Sequence, residues 1–143
     1  MYTVKGNNVY YAFLDASKAF DKVVHKGLLC KLLERDFPLC FVDLIYSWYS
    51  DLNCQVRWGT SLSEWFPILA GVRQGGVLSP DFYCIYVDDL IVKLKHLNVG
   101  CHILGMFAAA LFYADDMAIL SPSIKGLQTL LDVCGNYCSE WDI

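Results

Sequence analysis

The sequence predicts an α/β (α+β) fold in which a mixed sheet is covered by helices on one face. Three observations carry that expectation. Val9–Leu14 is a continuous apolar and aromatic run of the kind a buried strand requires. Apolar residues then recur at three- and four-residue steps, as amphipathic helices need. Finally, Leu111–Ala114 and Met117–Leu120 are short apolar runs with Asp115-Asp116 between them, the pattern of a tight hairpin with two acids at its tip. Strands interleaved with helices in this order build a sheet with a helical layer.

Taken in order, the first strand ends on Asp15, and the spacing of Val24, Leu28, Leu29, Leu32 and Leu33 predicts a helix from Ser17 to about Glu34. Pro38 punctuates, and a second helix covers Leu39–Ser50. Asn53–Trp58 and Glu64–Leu69, joined through Gly59-Thr60-Ser61, read as a β-hairpin. A glycine-bearing loop, Gly71–Gly76, leads to Ser79-Pro80, where serine as N-cap and proline at the first helical position start a helix to roughly Leu97. A last helix follows Pro122, with Leu127, Leu130, Leu131, Cys134 and Cys138 as its inner stripe. There are no repeats, low-complexity tracts or linker-like segments, so residues 1–143 read as one domain.

Composition narrows the function. Hydrophobic residues make up 56% of the chain and charged residues 18%, which predicts apolar surface that another segment or partner covers. The net charge is −4, whereas a module that grips nucleic acid by its phosphates leans basic. Any grip on nucleic acid must therefore come mostly from elsewhere, and the acids have another use. The seven cysteines are scattered without a CxxC or another zinc spacing, so they read as reduced, mostly buried thiols of an intracellular protein. Met1–Asn8 is too polar for a signal peptide, and the longest apolar stretch, Ile103–Ala114, is too short to span a bilayer.

The chemistry centres on Asp115-Asp116. Adjacent carboxylates in an apolar stretch repel each other and lose hydration, and a divalent cation answers both costs. Two Mg²⁺ ions held by a few carboxylates and by substrate phosphates catalyse nucleotidyl transfer. A further carboxylate is wanted from a neighbouring strand, and Asp15 stands at the end of one. The competing reading of Asp115-Asp116 is a hydrophilic turn.

The wider pattern favours the first reading. Phe13-Leu14-Asp15-Ala16-Ser17-Lys18-Ala19-Phe20-Asp21 resembles the first palm motif of non-LTR (LINE-like) retrotransposon reverse transcriptases. Gly71-Val72-Arg73-Gln74-Gly75-Gly76-Val77-Leu78-Ser79-Pro80, with Phe82 and Tyr86, resembles their second. Phe112-Tyr113-Ala114-Asp115-Asp116 resembles their third, the aromatic-x-Asp-Asp box, and Gly126-Leu127-Gln128 through Trp141-Asp142 is similar to the helix that follows.

That resemblance implies RNA-directed DNA polymerase activity on a polymerase palm, a ferredoxin-like mixed or antiparallel sheet with helices packed on one face. It implies two Mg²⁺ ions, with Mn²⁺ able to substitute, bridged by Asp15 and Asp115, assisted by Asp116 and completed by the Ala16 carbonyl. Phe20 would exclude a 2′-hydroxyl and so select deoxynucleotides, its competing role being a core aromatic. Gln74 and Gly75 would line the nascent base pair, with Arg73 and Tyr113 also counted among the substrate-binding residues. Arg73 reads equally as a phosphate contact or a solvated cation, and Asp21 as a local hydrogen-bonding or capping residue.

The implied partners are an RNA template, a DNA primer and deoxynucleoside triphosphates, with no membrane. The chain reads as a partial palm domain, its fingers truncated and its thumb absent, completed by those segments of the same polyprotein. The parent element would work in cytoplasm and nucleus.

Tyr86-Val87-Asp88-Asp89 spells a similar box in the wrong context, because helical spacing runs through it and Asp89 stands four residues before Lys93, an ion-pair spacing. Lys18, Lys22 and Lys26 recur every four residues as a basic stripe along one helix face, either solvated or facing phosphate. His25, His96 and His102 show no ligand spacing. Two alternatives stay open: a catalytically idle remnant acting as a folded binding module, and an RNA-directed RNA polymerase, against which Phe20 speaks.

Overall fold

A computed structural model describes residues 8–113 and 116–143. They fall into two compact units, one formed by residues up to Ala19 together with Val87–Ile143, the other by Phe20–Tyr86.

The first unit is built on a three-stranded antiparallel sheet in the order β1 (Tyr10–Asp15), β9 (Asp116–Ser121), β8 (Ala110–Tyr113). The strand expected to be buried is covered on one face only: alternation along β1 turns Tyr10, Ala12 and Leu14 inward, half-buried, and leaves Tyr11, Phe13 and Asp15 exposed. The register matches inward residues with one another, Ala12 with Ile119 and Leu14 with Met117, so one face of the sheet is largely apolar and partly to fully buried. Against it lies α4 (Ile124–Trp141), whose Leu130, Cys134 and Tyr137 share a core with Ile119 and Ala109, and with Leu90 and Leu94 of α3 (Ser79–His96). Helix α4 starts where Pro122-Ser123 predicts, the Ser123 hydroxyl accepting from the Gly126 amide at 3.1 Å.

Between α3 and β8 the structure adds a hairpin that the apolar reading of 103–114 did not anticipate, β6 (His102–Ile103) with β7 (Met106–Phe107). Its two loop residues, Leu104 (φ 51°) and Gly105 (φ 82°), both lie in the left-handed region, as a type I′ turn demands.

In the second unit, α1 (His25–Glu34) packs on α2 (Leu39–Ser50), burying Leu28 and Leu32 against a core that includes Val42 and Ile45. The α2 bounds are those the sequence predicts. The N-terminal part of α3 adds Phe82, Tyr83 and Tyr86 to the buried set. Lys31, only 1% exposed, places its ammonium 5.7 Å from the centre of the Tyr86 ring, a cation–π contact.

The expected hairpin forms in two paired pieces. β3 (Arg57–Trp58) pairs with β4 (Ser61–Leu62) around Gly59 (φ 62°), and β2 (Asn53–Cys54) pairs with β5 (Phe66–Pro67). The two registers differ by one residue, which marks a bulge between them. Ser63 stands beside it and keeps the β3–β4 register opposite Val56, its amide donating to the Val56 carbonyl and its hydroxyl accepting from the Val56 amide.

Further expectations fail. The helix predicted from Ser17 breaks into a 3-10 turn at Ala19–Lys22 and α1, with Lys18 at φ 59° and Val24 extended. The reason is long-range. Val24 bridges Ala70, and the carbonyls of Phe20 and Val23 accept from Val72 and Gly71 rather than from amides four residues on. Lys18, Lys22 and Lys26 therefore share no helix face. The thiols are free, but only Cys101 and Cys134 are buried; Cys30, Cys40, Cys54 and Cys84 are exposed, because helix faces and strand ends carry them outward. Lys93 reaches Glu140 on α4 at 3.0 Å and lies over the Tyr137 ring. Among the described residues no helix is long and apolar enough to cross a membrane.

Candidate active site

The exposed face of the three-stranded sheet ends in a row of three residues. Asp15 is the register partner of Asp116, and Asp116 is that of Tyr113. Directly opposed residues on antiparallel strands point to the same face with Cβ atoms about 4.5–5.5 Å apart, and like charges placed so destabilise the pair. The row behind it is apolar: Phe13 (78% exposed), Ala118 and Leu111. Tyr113 is 83% exposed. Asp115 and Ala114 lie outside the described residues.

A hard divalent cation is what this donor set fits. Mg²⁺ takes one or two carboxylates and completes its shell with water and phosphate oxygens. Asp15 and Asp116 supply two solvent-facing carboxylates at adjoining strand ends, where a cation would relieve their repulsion and ligands could approach from solvent. Among the described residues no group of three or more such ligands is assembled. Asp115 and the half-buried Ala16 complete the set the sequence predicts, Asp115 from outside those residues.

The remaining predicted residues belong to the second unit. Phe20 is half-buried, its ring 5.2 Å from that of the buried Tyr83, so the packing role and an exposed edge coexist. Arg73, Gln74 and Gly75 are exposed on the loop that precedes α3. Gly75 has φ 79°, with open space where a side chain would stand.

The loop is tied down at its root. Ser79, expected as the N-cap, is instead the first residue of α3, where the Phe82 amide donates to the Leu78 carbonyl, and its hydroxyl donates to the Arg73 carbonyl at 2.5 Å. Arg73, Gly75, Gly76, Val77 and Phe82 border a cavity of about 330 Å³ with Trp48 and Tyr49 of α2. Burial raises the Tyr49 hydroxyl above its ordinary value, and the Arg73 charge opposes that shift.

Two residues here were not found by spacing. His25, given no role by the sequence, holds the Gly71 carbonyl through Nε2 at 2.8 Å and lies on the Tyr49 ring at 4.4 Å. Asp21, expected to bond locally, accepts from Gln74 Nε2 at 3.1 Å across 53 residues of chain. No periodicity records such contacts. The Tyr86–Asp89 string lies in the middle of α3, with Tyr86 fully buried and Asp88 exposed, so its two acids diverge as helix geometry requires.

An antiparallel sheet with helices on one face and paired carboxylates at its strand ends is a frame suited to metal-assisted phosphoryl chemistry. The family model described as "Reverse transcriptase (RNA-dependent DNA polymerase)" matches residues 2–143. The chain is 33% identical over 138 residues to the RNA-directed DNA polymerase from mobile element jockey of Drosophila melanogaster, covering 92% of this chain and 14% of that protein. It is 37% identical over 137 residues to the probable RNA-directed DNA polymerase from transposon X-element of the same fly, covering 92% and 14%. To the Pol polyprotein of a type-1 R2 retrotransposable element from Nasonia vitripennis it is 31% identical over 128 residues, covering 90% and 12%. The chain belongs to the reverse transcriptase family, and resembles its non-LTR retrotransposon members over 12% to 14% of their length.

Proposed function

We propose that the chain is the palm of an RNA-directed DNA polymerase that transfers deoxynucleotides to a primer by two-metal catalysis. The observation that carries this reading is the register of Asp15 with Asp116 on the exposed sheet face, one residue from Asp115. The strand order β1-β9-β8, first-third-second along the sheet strands of that unit, supports a ferredoxin-like palm in which residues 1–143 act as one partial domain.

Asp15, Asp115 and Asp116, with the Ala16 carbonyl, would hold two Mg²⁺ ions, for which Mn²⁺ can substitute. When bound, such ions activate the attacking 3′-hydroxyl and neutralise the departing pyrophosphate. The protein's own task is placement. Tyr113 flanks the carboxylates and offers a flat apolar face to the primer end or nucleotide. Phe20, braced by Tyr83, closes the space a 2′-hydroxyl would need. Gln74 and Gly75 line the nascent base pair, where glycine lets the backbone approach closely. Arg73 reaches a triphosphate oxygen. The net charge of −4 leaves the grip on RNA template and DNA primer to basic surface on the fingers and thumb segments of the same polyprotein.

The test is primer extension by the polymerase carrying this chain. Asp15→Asn and Asp116→Asn should each lower extension by at least about a hundredfold, as loss of a transition-state electrostatic group does. Asp88→Asn, on α3, should stay within about twofold of the parent. Equal loss in all three variants would contradict the assignment.

A further inference from the structure

We propose that Asp21 is a positioning residue whose carboxylate aims the Gln74 carboxamide at the nascent base pair. The inference rests on the polymerase reading above, in which Gln74 touches that pair.

The segment carrying Phe20 and the loop carrying Gln74 are laced together from one end. Val24 bridges Ala70, the Gly71 amide donates to the Val23 carbonyl at 2.8 Å, and the Val72 amide donates to the Phe20 carbonyl at 2.8 Å. His25 Nε2 meets the Gly71 carbonyl at 2.8 Å, the nitrogen donating in the tautomer that this contact requires. Gly71 has φ 96°, and a methyl group there would stand 3.1 Å from both the Cα and the carbonyl oxygen of Asp21. The close approach therefore needs glycine on backbone grounds. The root of the loop is fixed against the very residues that precede α1.

Beyond Val72 the backbone ties turn local, with the Gly76 amide donating to the Arg73 carbonyl and the Ser79 amide to the Gly76 carbonyl. Gln74 then projects from an exposed loop with three torsions to fix. Its Nε2 donates to Asp21 Oδ1 at 3.1 Å, a hydrogen bond strengthened by the carboxylate charge. One N–H of the amide is thereby engaged, and Oε1 and the other N–H are left to present outward. Asp21 sits next to Phe20 in the chain, so the same short segment sets both the residue that excludes a 2′-hydroxyl and the direction of the residue that faces the base pair. The bond is selective for an acceptor at position 21. Asparagine supplies one through its amide oxygen, whereas alanine supplies none.

Two measurements test this together. The first is the side-chain amide NMR spectrum of the ¹⁵N-labelled chain, with the Gln74 pair identified by its loss in Gln74→Ala. Asp21→Ala should move that pair to the position of a free glutamine, and Asp21→Asn should keep it near the parent's. The second is single-nucleotide incorporation by the polymerase carrying the chain. Asp21→Ala should raise KM for the deoxynucleotide by about threefold to tenfold, the range expected of one hydrogen bond, with kcat changed less. Asp21→Asn should recover most of that loss, and Asp21→Ala combined with Gln74→Ala should be no worse than Gln74→Ala alone. An unmoved Gln74 amide in Asp21→Ala, or additive losses in the double variant, overturns the proposal while leaving the polymerase reading intact. Failure of the parent to extend any primer overturns that reading, and with it the proposal.

Discussion

At the scale of single residues, the chain separates groups that hold a shape from groups that face solvent with chemistry to offer. Phe20 does both, with its ring against Tyr83 and part of it exposed. If it limits the sugar, Phe20→Val should raise ribonucleotide incorporation relative to deoxynucleotide in the polymerase carrying the chain. Unchanged discrimination, with a lowered melting temperature, would assign Phe20 to packing alone.

The thiols offer a second residue-level check. Cys134 is buried among Leu130, Ile119 and Tyr137, and burial pushes its thiol up to about 11, with Cys138 adding to the shift. At pH 8 an alkylating reagent should modify Cys30, Cys40, Cys54 and Cys84 and spare Cys134 until the chain unfolds. In alkali the unfolded chain loses the Cys134 proton before the folded one does. This group's contribution is therefore unchanged below about pH 9 and turns against the fold as pH rises from there towards 11. A stability that rose across that window in the parent, and did so equally in Cys134→Ser, would contradict the buried placement.

Which residues were legible follows the range of their contacts. Asp15 ends an apolar run, and β1 ends there; the residue types within the run mark the strand although its partner β9 is remote in the chain. Asp21 with Gln74 and His25 with Gly71 were not legible, because their partners lie 53 and 46 residues away.

Elements show the same division. α2 and the start of α4 follow from proline and serine punctuation, since capping and φ restriction act within one turn. The helix expected over 17–24 fails although its apolar spacing is sound. Extended pairing of Val24 with Ala70 takes the backbone groups that a helix would use. The β6–β7 hairpin was hidden because Leu104 is a poor turn residue. It is 81% exposed and adopts φ 51°, a conformation that suits asparagine or glycine. Leu104→Asn creates the favoured Asn-Gly pair and should stabilise the chain by about 0.5–1 kcal/mol, raising the melting temperature by a few degrees. A fall in melting temperature would show that Leu104 is held by packing and not tolerated at a strained position.

For the molecule as a whole, the apolar excess foreseen from composition is visible as exposed large side chains in both units. Phe13, Leu111 and Tyr113 stand on the sheet face, and Trp48, Trp58 and Leu69 in the second unit. The acidic balance is equally concrete, for its carboxylates include the pair at the strand ends, where a cation would offset their repulsion. Two-metal catalysis by this chain requires that pair and Asp115 to be where a divalent ion binds.

Paramagnetic relaxation by Mn²⁺ on the ¹⁵N-labelled chain measures this most directly, because broadening falls steeply with distance and needs no substrate. Amides of 13–16, Tyr113 and Asp116 should broaden first, and Asp15→Asn or Asp115→Asn should weaken the effect. Asp88→Asn should leave it unchanged. Broadening centred on Asp88 and Asp89 and insensitive to Asp15→Asn would contradict the account and move the metal site to α3.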